Sequence, residues 1–347
     1  MPGAEPPYRT YETPPMVDAN GRAIETVAII GYGNQGRPQA LNLLDSGLPV
    51  TVGLRAGSPS RVRAAADGLK VSSIKEAAKK ATAVFFLVPD EVIHEVAAQV
   101  MEVVQDGALL VVAHGASLHF GRWKPRKGLD CGLIAPHGPG LDFRMQYERK
   151  TGLPAILAME QDATGQCRQR IETLAAALGC ARPGAGVRWS TVKVEVETDL
   201  FVEQTLLVGG CIELLRAVVA TMVRAGYDPA ISRMSTIFEL PHVTDLIQRL
   251  GPVELFKAIS PTAAFGAATR GPRIIDQHTR HVLDDILEEI RNGTFREQVF
   301  SPEAPLIVKN YTDKLETSHL AEVDAPFRPD PSKASEPIEP PDSRETS

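Results

Sequence analysis

Residues 26–36 read TVAIIGYGNQG, an apolar run that breaks into glycines at 31, 33 and 36 and leads into the helix-like ALNLLDSG. Gly31, Gly33 and Gly36 have the spacing GxGxxG. After a strand, glycines so placed allow a tight turn, a close approach of main chain to a pyrophosphate and tight helix packing. The helix start adds N–H donors and a positive dipole end. The fingerprint alone is a weak signal, but here strand, helix and second strand follow in order, which is the context a dinucleotide site requires.

The rest of the first half keeps that rhythm. PVTVGL, AVFFLV, ALLVVA, CGLIA and PAILAM are short apolar runs separated by amphipathic stretches and closed by Gly, Pro or Asp. Such runs read as buried parallel strands with helices between them. Beyond about residue 188 the texture turns helical, as in VETDLFVEQTLLVGGCIELLRAVVATMVRAGYD and HTRHVLDDILEEIRNGTF. The expected architecture is therefore α/β. A flexible segment covers residues 1–25, a Rossmann doubly wound parallel sheet residues 26–187 and an all-α domain residues 188–323. A tail at 324–347, rich in proline and charge, is expected to be disordered.

Two polar groupings bear on chemistry. The second strand, PVTVGLR, ends without the acidic residue that holds an adenine ribose diol. It continues instead into Arg55, Ser58, Ser60 and Arg61, which suit a ribose 2′-phosphate and favour NADPH over NADH, or else form a solvated basic loop. Further on, VEVETDLFVEQ places Glu195, Asp199 and Glu203 at i, i+4 and i+8 on one helical stripe. Like charges so aligned repel. They form either a solvated acidic face or an oxygen-only site for Mg²⁺, with one carboxylate able to bridge two ions.

Composition excludes several classes of function. The net charge is −6 and no basic stripe is present, which argues against nucleic acid. Cys131, Cys167, Cys180 and Cys211 have no metal-ligand spacing, as expected of a reducing, cytoplasmic setting. No signal peptide is evident, and no uninterrupted apolar run of bilayer length is read, so no membrane partner is expected.

Taken together, AIIGYGNQG, VGLRAGSPS, LVPDE, AHGASLHF, IAPHGPG, QDATG, ETDLFVEQ, AGYDP and GPRIID resemble the ketol-acid reductoisomerases in their short form, over roughly residues 27–322. The resemblance implies a Rossmann domain, a knotted helical domain, and a homodimer or higher homo-oligomer whose subunits share active sites. It also implies a two-part reaction. Mg²⁺ holds a 2-hydroxy-3-keto acid such as 2-acetolactate while an alkyl group migrates, and NADPH then delivers hydride.

Position by position, the resemblance assigns cofactor contacts to Gly31, Tyr32, Gly33, Asn34, Gln35, Gly36, Arg55, Ser58, Ser60, Pro89, Asp90, His114 and Gly140. His114 lies beside nicotinamide and substrate, and Glu195 belongs to the catalytic set. Asp199 and Glu203 are metal ligands, with Asp199 the bridge. Glu239 comes from the partner subunit, and Ser260 holds the substrate carboxylate.

Several positions depart from the family pattern. His137 stands where APKGPG has lysine, Ser235 stands where a first partner glutamate is expected, and AAFGA (263–267) replaces AEYGD. A lysine keeps its charge through neutral pH, whereas an imidazole changes charge between about pH 5 and 8. Losing a cation at 137 and an anion at 235 partly compensates, which reads as a matched retuning. Pro241 is expected to kink its helix near Glu239 at a cost of about 3 kcal/mol unless compensated. Four functions compete: a retuned reductase of this family, an ordinary branched-chain reductoisomerase, a metal-free imine or ketone reductase, and a non-catalytic nucleotide-binding protein.

Overall fold

The computed structural model describes residues 8–328. Its contacts divide the chain into two units, residues 1–198 and 199–347. The division falls within the helix Val192–Val202, past the boundary expected at 187.

The first unit is built on a sheet that has eight strands among the described residues, in the order β3-β2-β1-β4-β5-β6-β7-β8. These are β1 (Val27–Ile30), β2 (Val50–Gly53), β3 (Lys70–Ser72), β4 (Ala83–Phe86), β5 (Leu109–Val112), β6 (Asp130–Pro136), β7 (Ala155–Gln161) and β8 (Val187–Trp189). β1, β4 and β5 are buried at every position, because helices cover both faces of a parallel sheet and leave no side for polar alternation. Strand order reverses at β1, which pairs with β2 on one side and β4 on the other, and ligands bind beyond the carboxyl ends of strands at such a point.

β7 departs from the expected all-parallel reading, since it pairs antiparallel with β6. The turn and helix after Pro136 return the chain directly beside β6, and apolar periodicity does not distinguish the two senses. β3 and β8 are three-residue strands, too short to register as apolar runs.

The N-terminal segment is also corrected over its described part. Residues 8–25 are docked rather than loose: Arg9 and Val187 exchange main-chain bonds of 2.9 and 2.8 Å, Met16 is buried, and Glu25 pairs with Arg170 at 2.6 Å. Residues 1–7 and 329–347 of the expected tails lie outside the described residues. Of the C-terminal tail, Asp324 ends the helix His319–Asp324 and bonds Arg233 at 2.9 Å, while Phe327 lies under the Arg233 guanidinium. These contacts order the start of a segment that composition alone assigns to disorder.

The second unit is helical throughout its described residues. Two π-helical turns, Glu203–Leu207 and Met234–Phe238, interrupt it. The first has a visible cause: side chains at 209 and 210 would stand 2.2 Å from the Gln204 carbonyl and 2.0 Å from that of Thr205, so the tilted carbonyls of the wide turn are accommodated only by Gly209 and Gly210. The second corrects the expected cost of Pro241. A new helix, Leu240–Leu250, begins there and places Pro241 in its first turn, where the missing N–H would have no partner anyway.

The helical run Val192–Arg224 is long and apolar enough by length and composition to cross a membrane, although its apolar residues are interrupted by charges. Glu213 and Arg216, which break the run in sequence, bond to each other across one turn of the helix.

Candidate functional site

The crest between β1 and its following helix Gly36–Asp45 has the geometry the glycines imply. Gly31 has φ +103°, and a side chain there would stand 2.3 Å from the Leu87 carbonyl at the end of β4. One at Gly36 would meet the Gly31 carbonyl at 2.5 Å. Gly33 differs, since a Cβ there meets nothing within 4 Å, and Gly33 and Asn34 are exposed. The outer glycines close the turn, and the middle one leaves main chain open to a ligand.

From the other side the helix Gly140–Glu148 abuts the crest. A Cβ at Gly140 would lie 1.7 Å from the Asn34 carbonyl, and the Gln35 amide donates to the Gly138 carbonyl at 3.2 Å. Gly140 thus buttresses the loop through main-chain contact.

Tyr32 points inward. Its hydroxyl donates to Asp67 at 2.8 Å, and Arg37 grips the same carboxylate with bonds of 2.7 and 2.9 Å. The Arg37 hydrogen bonds hold the Asp67 carboxyl below its usual range, and burial pushes the Tyr32 phenol up. The Tyr32 side chain therefore serves the fold, and any contact to a nucleotide falls to its main chain. Asp67 and Arg37 carry this support, and nothing in their sequence spacing announces it.

After β2, Arg55 is exposed while Ser58 and Ser60 are half-buried. Arg61 is engaged elsewhere, donating to the carbonyls of Leu54 and Ser72 at 3.0 and 3.1 Å and bracing the ends of β2 and β3. Of the two arginines offered for a 2′-phosphate, Arg55 is thus the one on the open loop.

A carboxylate and histidine cluster forms where the turn after β5 meets the helix Val192–Val202. Glu195, buried, accepts from the Gly115 N–H at 3.1 Å and pairs with His114 Nδ1 at 3.2 Å. Gly115 makes the approach possible, because a Cβ there would stand 2.5 Å from Val192 and 3.0 Å from Val196. The glycine of AHG is thus the residue that sequence reasoning passed over. Asp199 follows one turn along the same helix, and His114, Glu195 and Asp199 each offer a ligand atom within 4.8 Å of one another. Asp90, first residue of the helix Asp90–Met101 after Pro89, is held above the usual carboxylate range by burial, and the charges of His114 and Glu195 reach it.

Glu203 is exposed, opens the π-helical turn and is not part of that cluster among the described residues. His137 is exposed at the end of β6, with its main-chain N–H bonded to the Pro154 carbonyl at 2.8 Å. Within the second unit, Glu239 and Ser235 are exposed around the second π-helical turn. Ser260 caps the helix Pro261–Ile274 by accepting from the Ala263 N–H at 3.2 Å.

Comparisons with known proteins bear on both units. Residues 23–184 match the family described as "Acetohydroxy acid isomeroreductase, NADPH-binding domain", and residues 192–329 match "Ketol-acid reductoisomerase, C-terminal domain". A protein of Xanthomonas campestris pv. campestris (strain B100) named "Ketol-acid reductoisomerase (NADP(+))" is 44% identical over 271 residues, 78% of this chain and 81% of that protein. One of the same name from Methanothermobacter thermautotrophicus is 40% identical over 283 residues, 81% and 86% of the two chains. The solved structure of an NADH-preferring ketol-acid reductoisomerase from an uncultured archean is similar at a TM-score of 0.83 and 31% identity, covering 88% of this chain and 94% of its own.

Proposed function

Given that this chain belongs to the ketol-acid reductoisomerase family and is an NADP-dependent oxidoreductase, we propose that it reduces a 2-hydroxy-3-keto acid or 2-keto acid with NADPH and Mg²⁺, at a site retuned by His137 and Ser235. The observation that carries this reading is the convergence of His114, Glu195 and Asp199. The carboxylate oxygens of Glu195 and Asp199 are the hard donors Mg²⁺ prefers, so these two residues fit the ion. The open main chain at Gly33 likewise fits a pyrophosphate, and Arg55 with Ser58 and Ser60 fits a 2′-phosphate.

When bound, NADPH supplies hydride, and Mg²⁺ supplies Lewis acidity toward the substrate's hydroxyl and carbonyl oxygens. The chain's own residues do the rest. Glu195, fixed by the Gly115 N–H, orients the His114 ring. Asp199 would hold metal, with Glu203 four residues further along the same helical run. Glu239 and Ser260 act from a second copy of the chain. At His137 an imidazole replaces the lysine ammonium of the family pattern. Ser235 removes an anion from the same environment. Alkyl migration needs the full charge arrangement and hydride transfer needs less, so migration is the slower step here.

Pairing with a second copy is supported by the apolar surface of the second unit, where Leu206, Leu207 and Val208 are 65%, 60% and 53% exposed. Burial against another subunit, rather than lipid, accounts for the apolar run Val192–Arg224 and suits a cytoplasmic enzyme. The ordinary reductoisomerase reading, converting 2-acetolactate in branched-chain amino-acid synthesis, has the 44% identity in its favour.

Supplying 2-acetolactate and, separately, the isomerised 2-keto-3-hydroxy acid with NADPH and Mg²⁺ separates the two readings. The retuned site predicts faster turnover of the isomerised acid and a gain on acetolactate in the double variant His137→Lys, Ser235→Glu. Equal rates on both substrates in the unaltered protein sink the retuned reading and leave the ordinary one.

A further inference from the structure

At the edge of the sheet formed by β8, a cavity of about 210 Å³ is lined by Arg9, Arg168, Val187, Arg188 and Trp189. It lies wholly within the first unit, and none of its residues belongs to the reductase site. The N-terminal segment forms one wall. Arg9 is joined to Val187 by main-chain bonds, and the Tyr11 N–H donates to the Ala181 carbonyl at 3.0 Å. Gly186, at φ +106°, lets the segment approach, since a Cβ there would stand 2.8 Å from that of Tyr8.

The opposite wall is ordered by stacking. The Arg168 guanidinium lies 4.2 Å over the Trp189 ring, with its Nε 3.4 Å from Glu172. The Trp189 ring N–H donates to the same carboxylate oxygen at 2.8 Å. Stacking and this shared anchor fix the plane of the guanidinium fork before any ligand arrives.

We propose that this cavity binds a small multivalent oxyanion of the phosphate class, and that the bound anion fastens residues 8–11 to the sheet edge. Guanidinium forks match the geometry of phosphate and carboxylate oxygens, and each carries five donors, so an arginine already paired still has donors to share. The volume leaves room for one such anion with water beside it. Arg9 and Arg168 come from segments far apart in sequence, so a shared anion ties the N-terminal segment to the helix Cys167–Ala177 and to β8.

The test is to titrate inorganic phosphate into the full-length protein, with chloride at matched ionic strength as control, following Trp fluorescence and the melting temperature. The proposal predicts a saturable emission change and a rise in Tm with phosphate only. Arg188→Gln, a change at an exposed position, weakens the apparent affinity by about tenfold or more while leaving NADPH oxidation unchanged. Arg9→Gln, on the other wall, does the same, so the result does not rest on one variant. Arg55→Gln, in the nucleotide loop, keeps the fluorescence response. An equal response to chloride shows screening only and overturns the proposal. So does a response lost in Arg55→Gln but kept in Arg188→Gln and Arg9→Gln.

Discussion

The two units hide their apolar residues to very different degrees. In the first, β1, β4 and β5 are buried at every position and the core runs from Met16 to Val187. In the second, the helix Leu240–Leu250 has no buried residue, and its Val243, Ile247 and Leu250 are 40%, 42% and 46% exposed. At about 25 cal/mol per Å² of apolar area, leaving such faces in water forfeits most of what would stabilise the helices. A unit with that surface is stable when another apolar surface covers it, whereas the sheet unit is complete in itself. On the proposed function, a second copy of the chain supplies the cover for the apolar faces of the second unit.

Leu206→Glu combined with Leu207→Glu should break the comparison most sharply. It is expected to convert an oligomer to monomer by light scattering and to abolish turnover of acetolactate, while NADPH binding to the sheet unit persists. Retention of oligomer and activity would mean that this face is not covered by a partner.

A smaller effect is expected inside the complete unit. Gly140→Ala drives a methyl group into the Asn34 carbonyl, and overpacking of this kind costs about 1–3 kcal/mol. Denaturant unfolding should show that loss together with weaker NADPH binding, because Asn34 belongs to the crest.

The smallest effect concerns Asp67. Its folded-state value is depressed by the Arg37 hydrogen bonds, so its stabilisation is present at neutral pH and is lost as pH falls through that value. Asp67→Asn should cost about 1 kcal/mol at pH 7, kept modest by the 40% exposure of Arg37, and the difference from the unaltered protein should shrink toward zero in strong acid. A difference independent of pH would assign the role of Asp67 to packing rather than charge.

What the sequence revealed and what it concealed follow the same division. Gly31, Gly33 and Gly36 were legible because their roles are set by local backbone geometry, which spacing records. The acidic stripe was legible up to Asp199 because the helix is regular to Val202. Glu203 opens the π-helical turn, and that local widening is written in the double glycine at Gly209 and Gly210 rather than in the acidic spacing.

The antiparallel sense of β7 was not legible, since a buried strand reads the same in either direction. The docking of residues 8–25 was hidden as well. It rests on paired backbone groups and on the Glu25–Arg170 contact across the chain, neither of which composition reports. The cost of Pro241 is hidden for a related reason, because it depends on where a helix begins.

On the proposed function, the helix Val192–Val202 carries carboxylates that hold divalent metal for the reaction. The most direct measurement is NADPH oxidation with 2-acetolactate and with the isomerised keto acid across a Mg²⁺ titration, in the unaltered protein and in Asp199→Asn. Saturable dependence on Mg²⁺, lowered by about 10²–10³-fold in the variant, is the predicted result. Turnover unaffected by a strong chelator and undiminished in Asp199→Asn would contradict it.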